Sequence, residues 1–220
     1  MKMSLYLLII PLFLSVTNPV KKKVVFFGDS LTELGARKGG YIPRIDSLAK
    51  LESRSEDFEF IGAGVGGNKI YDLYLRMDED VLSKNPDIVV VFIGINDIWH
   101  KTSFGTGTDV DRFERFYNAI LKKLNDRNIK AIICTPSLIG ERNDMSNPQD
   151  GDLNYFSALV RKIASKNNVE LVDLRVSMID YLKSNNPGNK DQNILTYDRV
   201  HFNSAGNELV AEEIWKKLRG

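Results

Sequence analysis

The sequence predicts a three-layer α/β/α sandwich around a central, mostly parallel five-stranded sheet. Three observations lead there. Short runs rich in β-branched residues, Val24–Phe27, Ile88–Ile93, Ile129–Cys134 and Val169–Val172, are largely apolar without alternation. Strands that are apolar on both faces belong in a parallel sheet covered on both sides, whereas a sheet with one wet face alternates. Between these runs lie segments whose apolar residues recur at helical spacing, and strand and helix signals alternate along the chain, the pattern of successive βαβ units.

The elements follow in order. Val24-Val25-Phe26-Phe27 is the first strand. Tyr41–Leu51 places Ile42, Ile45, Leu48, Ala49 and Leu51 largely on one helical face. Phe58–Ile61 is a weaker fifth strand. Ile70–Leu82 is helical through Leu73, Tyr74, Met77 and Val81, and Asp109–Leu124 through Phe113, Phe116, Tyr117, Ile120 and Leu124. Leu153–Ala164 and Ala205–Leu218 complete the helices. Tyr71, Tyr74, Phe113, Phe116 and Tyr117 sit at helical spacing and read as core packing, not as a binding box. Ser137–Asp152 and Asn185–Thr196 are long polar loops rich in Asn, Asp, Gly and Pro, and loops of that length in a compact domain are often functional.

Composition narrows the classes. The 220 residues are 43% hydrophobic and 27% charged, with 30 basic against 29 acidic side chains, an ordinary globular balance that suggests one domain. The only basic run, Lys21-Lys22-Lys23, is a solvated lead-in to the first strand, so no nucleic-acid partner is expected. Lys2, the apolar stretch Leu5–Leu14 and a polar exit occur in the order of a secretory signal peptide, expected over residues 1–18; the stretch is too short to span a bilayer. An uncleaved anchor is the alternative, and either places the protein in the periplasm or outside the cell. Cys134, the single cysteine, can form no internal disulfide and reads as a buried small hydrophobe.

Sites in open α/β sheets lie outside the carboxyl ends of the strands. There the sequence places Gly28-Asp29-Ser30-Leu31-Thr32, Gly62-Ala63-Gly64-Val65-Gly66-Gly67-Asn68, Gly94-Ile95-Asn96-Asp97 and Thr135-Pro136 after successive strands, and Asp198-Arg199-Val200-His201 before the last helix. A serine hydrolase needs an imidazole to carry the proton and a carboxylate to hold the ring. Both histidines qualify by spacing, since Asp97 precedes His100 and Asp198 precedes His201 by the same three positions. The flanks favour His201, which directly precedes the helix-start signal Asn203-Ser204; His100, in what reads as a loop at Trp99–Thr102, has no such anchor and is expected to be a surface or packing residue. Taken alone, Asp29-Ser30 is an ordinary helix cap or turn pair.

Together the four blocks resemble the signature blocks of the GDSL/SGNH serine hydrolases, in that family's order and strand context, from Val24 to the C-terminus. The resemblance implies a flavodoxin-like SGNH hydrolase fold, expected over residues 22–220. It implies a carboxylic ester hydrolase with Ser30 as nucleophile, His201 as base and Asp198 as its orienting carboxylate. The backbone N–H groups of Ser30 and Gly67 and the side-chain amide of Asn96 would form the oxyanion hole. No cofactor is implied. Two positions depart from the pattern: Gly62 stands where relatives often carry Asn, and Gly66 where they often carry Ser.

Exported relatives of this kind often remove acetyl groups from carbohydrates, and others cleave lysophospholipids or thioesters. The polar loops favour a short acyl ester on a sugar, because a long-chain lipase needs an apolar groove. The expected partner is therefore a small ester or acylated glycan, with no integral membrane domain beyond the N-terminal segment. The rival class is a non-catalytic glycan- or nucleotide-binding protein. Gly62–Gly67 matches the dinucleotide fingerprint, but it follows the second strand and lacks the acidic residue that should follow about 20 positions on. Two dispersed histidines and one cysteine give no zinc spacing, and the Asp-rich loops lack the calcium-loop pattern.

Overall fold

The computed structural model describes residues 20–220, so the signal segment expected over 1–18 lies outside the described residues. Five strands, β1 (Lys22–Gly28), β2 (Phe58–Gly64), β3 (Ile88–Phe92), β4 (Lys130–Cys134) and β5 (Glu170–Val172), form one sheet in the order β2-β1-β3-β4-β5. Every pairing is parallel. The predicted architecture is borne out. Val24–Phe27 and all of β3 are buried, as their unbroken apolar character requires. β2 is an edge strand with only Phe58 buried, which is why its signal is weak.

The helices are α1 (Ser30–Gly35), α2 (Tyr41–Leu51), α3 (Ile70–Asp80), α4 (Ile95–Ser103), α5 (Val110–Asn125), α6 (Asp150–Asn167), α7 (Leu174–Asn185) and α8 (Ser204–Leu218). α3 packs on α5 and α5 on α6, while α2 packs on α8 and α8 on α7, which builds two helical layers over the sheet. In α5 the buried residues Phe113, Tyr117, Ile120, Leu121 and Leu124 follow the helical period read from the sequence. Cys134 is free and fully buried, the small hydrophobe expected. Among the described residues no helix is long and apolar enough to cross a membrane.

Two helices, α4 and α7, are not among the elements the sequence predicts. α7 buries only Leu174, Met178 and Leu182 as apolar contacts and starts one residue after β5, with the Asp173 carboxylate accepting from Val176 N–H at its start. α4 is short, and Trp99–Thr102, which reads as a loop, lies within it. Its first turn is buried through Ile95, Asn96, Asp97 and Ile98, so half of that buried turn is polar.

The register aligns the strand ends. Gly28 pairs with Gly64 and with Phe92, Phe92 with Cys134, and Cys134 with Val172, so all five strands finish on one row. The chain winds one way from β1 to β2 and the other way through β3, β4 and β5. The crevice between β1 and β3 is therefore the topological switch point, where loops part and leave room for a ligand.

The far side of that row is pinned by a buried ion pair. Arg175, 1% exposed, reaches Asp150 Oδ1 at 2.6 Å and also donates to Asn154 Oδ1 and to the Ser137 carbonyl. The second Asp150 oxygen accepts from the backbone and side-chain N–H groups of Asn147. The starts of α6 and α7 and the segment after β4 thus meet on one guanidinium. Removing one partner strands a buried charge, so Arg175→Ala should lower the unfolding free energy by about 3–5 kcal/mol. The combined Arg175→Met, Asp150→Leu change should cost less than Arg175→Ala alone. Urea denaturation of the variants checks both expectations.

Candidate active site

The chain turns from β1 into α1 with no room to spare. A Cβ on Gly28 would lie 2.3 Å from the Phe92 carbonyl oxygen and 2.3 Å from Thr32 Oγ1, so only glycine permits the close approach. Asp29 is the N-cap of α1: its Oδ1 accepts from Leu31 N–H at 2.9 Å and its carbonyl from Thr32 and Glu33 N–H. The capping role read from Asp29 alone is thus real, and its consequence is that Ser30 becomes the first helical residue, part-exposed at the end of the row.

Across the crevice, residues 196–202 form a small hairpin-like loop. Thr196 and Phe202 form an antiparallel bridge, and Tyr197 N–H donates to the His201 carbonyl. At its tip Arg199 adopts φ +79, which tightens the turn. Asp198 Oδ1 accepts from the backbone N–H groups of Val200 and His201, and its Oδ2 meets His201 Nδ1 at 2.7 Å. A carboxylate only accepts, so Nδ1 carries the ring proton and Nε2 presents its lone pair. Nε2 lies 2.9 Å from Ser30 Oγ, which donates to it. Burial works against the Asp198 charge, but the hydrogen bonds from the His201 ring and from two backbone amides outweigh it and hold this carboxyl below the ordinary range. The Tyr197 ring stacks on the imidazole, with centroids 5.8 Å apart.

The other aspartate–histidine pair is not one. Asp97 is fully buried and accepts from Ile70 N–H, while the His100 ring lies edge-on to Phe104 at 4.9 Å. His100 is half-buried on helix α4 rather than in a loop, and its Cε1 lies 4.0 Å from where a Cβ on Gly67 would be. Burial, helped by the nearby Lys69 charge, lowers its pKa.

Gly67 adopts φ +77, a conformation that favours glycine, and among the described residues neither its N–H nor that of Ser30 donates to a protein acceptor. The neighbouring Gly66 faces Ser30: a Cβ built on it would lie 3.9 Å from Ser30 Cβ. Asn96, in the first turn of α4 and 2% exposed, donates through Nδ2 to the Asn68 carbonyl, so the amide is fixed beside the same loop. Gly66 N–H already donates to Glu33 Oε2 at 2.8 Å. The glycine loop is thus tied to a half-exposed carboxylate that also pairs with Arg37, so its Gly66 N–H already has an anionic partner where a dinucleotide loop would present it to phosphate.

Arg76 carries no motif signal, yet it organises this end of the sheet. Its guanidinium donates to the Gly28 and Ala63 carbonyls and to Asn68 Oδ1, pairs with Asp80, and lies over the Phe27 ring. It ties the ends of β1 and β2 to the loop that carries Gly67.

Residues 26–209 match the family model described as the GDSL-like Lipase/Acylhydrolase family. The chain belongs to that family. As a GDSL-like acylhydrolase it is a carboxylic ester hydrolase. It is 56% identical in sequence to a protein whose crystal structure is described as that of the acetyl xylan esterase AlAXEase; the two superpose with a TM-score of 0.87, covering 89% of this chain and 99% of the other. It is 26% identical to an acetylxylan esterase of Geobacillus stearothermophilus, covering 90% of this chain and 94% of that protein. A GDSL esterase/lipase of Arabidopsis thaliana is 27% identical over 92% of this chain and 66% of its own length.

Beneath Ser30 the acylhydrolase buries two acids. Desolvation pushes Asp29 up to about 7, against the opposing Leu31 N–H and with a further contribution from the Asp97 charge. Burial likewise raises Asp97 to about 6. Asp29 Oδ2 is buried without a partner among the described residues. The unfolded chain releases the Asp29 proton near 3.8 and the folded chain near 7, so between these values the folded state holds more protons. The stability this group contributes is complete below about pH 4 and is lost as pH rises toward about 7. Asp29→Asn keeps an acceptor for the Leu31 N–H and removes that loss. Its unfolding free energy relative to wild type should therefore climb between about pH 4 and pH 7 and then level off, as read by urea titrations at each pH.

Proposed function

We propose that the chain is a serine esterase working through an acyl-enzyme, with Ser30 as nucleophile, His201 as general base and acid, and Asp198 as the carboxylate that orients the ring. The continuous hydrogen-bonded line from Ser30 Oγ through both nitrogens of His201 to Asp198 carries this reading. His201 Nε2 takes the hydroxyl proton as Ser30 Oγ bonds to the ester carbonyl carbon. The tetrahedral adduct then collapses, and the departing alkoxide leaves with that proton as the alcohol. Water, deprotonated by the same nitrogen, attacks the acyl-serine; the second adduct collapses, the acid leaves, and His201 Nε2 returns its proton to Ser30 Oγ. Asp198 keeps the imidazole in the tautomer that accepts and stabilises it when charged.

The proposed oxyanion donors are the N–H groups of Ser30 and Gly67 and the side-chain amide of Asn96. Their support is the two uncommitted backbone donors and the fixed amide beside the same loop. Donors set in advance need no reorganisation as the negative charge develops, which makes each worth roughly 2.7–4 kcal/mol to the transition state.

The substrate proposed is a short acyl ester, an acetyl group on a carbohydrate. The acetylxylan esterases to which the chain is similar support this class. A groove of about 400 Å³ runs past the loop that bears His201, lined by Leu34, Arg37, Arg44, Tyr197, Phe202 and Asn203 among others. Export is proposed on the N-terminal pattern of a basic start, a short apolar run and a polar exit.

Three measurements test the reading. Wild type should hydrolyse p-nitrophenyl acetate faster than longer-chain esters and release acetate from acetylated xylo-oligosaccharides. Ser30→Ala should abolish both while remaining folded, and intact-mass spectra should show an acetyl adduct on wild type that the variant lacks. Asn96→Ala should lower kcat by about 10²–10³-fold with a small change in KM. Undiminished hydrolysis by Ser30→Ala would overturn the assignment.

A further inference from the structure

The two long polar loops are stitched together by one side chain that no step of the reaction uses. Glu141 lies in the segment after β4 and is fully buried. Its Oε2 accepts from Ile194 N–H at 2.7 Å, and its Oε1 accepts from Leu195 N–H at 2.8 Å, Thr196 N–H and Thr196 Oγ1–H at 2.7 Å. Four donors thus converge on the carboxylate, three on Oε1 and one on Oε2, and three of them are consecutive backbone amides. Residues 194–196 are the stem of the loop whose tip is Asp198-Arg199-Val200-His201. On the returning side of that stem, Asn203 N–H donates to the Leu195 carbonyl, and Thr196 bridges Phe202. The residue before Glu141 touches the tip itself, since Gly140 N–H donates to the Arg199 carbonyl at 2.8 Å. The Glu141 main chain is held in turn, its N–H by the Asp191 carbonyl and its carbonyl by Asn186 Nδ2.

We infer that Glu141 is a positioning residue for the reaction: it fixes the height and angle of the His201–Asp198 tip over Ser30. The inference rests on the assignment of Ser30, His201 and Asp198 proposed above. A buried carboxylate that meets only donors supplies what the stem lacks, because residues 194–196 are in no strand of the sheet and their amides have no ladder to join. The chemistry tolerates little drift. A misplacement of about 1 Å between nucleophile and base can cost on the order of 10²-fold in rate.

Glu141→Gln tests this with the shape unchanged. The amide keeps one oxygen but turns an NH₂ toward backbone N–H donors, which pushes the stem away. Four readouts are taken: kcat and KM on p-nitrophenyl acetate, the rate at which Ser30 is phosphonylated by a fluorophosphonate, the low-field proton resonance of the His201–Asp198 hydrogen bond, and the near-ultraviolet circular dichroism of the folded variant. The expected result is a folded protein whose kcat falls by about 30- to 100-fold, with KM within about threefold. Phosphonylation should slow in parallel, and the low-field resonance should broaden or vanish. Thr196→Val, which removes only the hydroxyl donor, should move all of these in the same direction by a smaller amount, and it decides the matter if Glu141→Gln fails to fold. A variant that melts earlier yet keeps kcat within about twofold and retains the resonance makes Glu141 a stability residue only and overturns the inference. The resonance is read without turnover and Ser30→Ala serves as the control, so failure of the serine assignment is distinguishable from failure of this one.

Discussion

The strand-to-helix turn at Gly28-Asp29-Ser30 is the constraint on which the site depends. A parallel sheet delivers its strand ends to one row but leaves each following residue free to point anywhere. Here the Phe92 carbonyl and Thr32 fill the space beside Gly28, so the chain can leave the sheet in only one way, and the Asp29 cap starts a helix at the next residue. Ser30 therefore arrives at the switch point with its direction set by backbone packing. The acid that accomplishes this is itself desolvated, a cost the surrounding β1–β3 core carries.

Everything opposite Ser30 is held by a different kind of force. The glycine-bearing turn from Val65 to Asn68, the segment after β4 and the loop that bears His201 belong to no strand of the sheet. Buried charged side chains instead gather their backbone groups: Arg76 collects carbonyls at the ends of β1 and β2, Arg175 joins the starts of α6 and α7, and Glu141 collects amides below His201. Each sits where a strand has ended and main-chain polar groups have lost their ladder partners. Sheet geometry fixes one half of the site and ionic side chains the other.

This division explains what the sequence makes legible. Strands β1, β3 and β4 are visible because burial on both faces forces continuous apolar runs, and α5 because one face must be greasy. β2 fades because an edge strand buries one residue in seven. α4 and α7 fade because their burial is partly polar, through Asn96, Asp97 and Arg175. Ser30, Asn96, Asp198 and His201, the residues proposed for the site, stand out through short local motifs and family likeness, and the structure joins His201 to Asp198 while, among the described residues, His100 makes no bond to Asp97. Arg76 and Glu141 do not stand out. Most of their partners are backbone groups, up to 55 positions away, and a backbone group leaves no mark on residue identity. The polarity of the loop from 137 to 152 was the only sign that something there needed partners.

Ser30 and His201 are 171 positions apart, one leaving the first strand and the other preceding the last helix. Their meeting is among the most non-local contacts in the chain, and it rests on loops rather than on a ladder. Such segments open by sub-global fluctuation well below the free energy of complete unfolding. On the proposed assignment, catalytic competence and native secondary structure are therefore separable on warming, because the imidazole can swing away while the five-stranded sheet stays closed. Activity is then the earliest reporter of loosening in this fold, and its return on cooling marks the last long-range closure rather than the formation of the sheet.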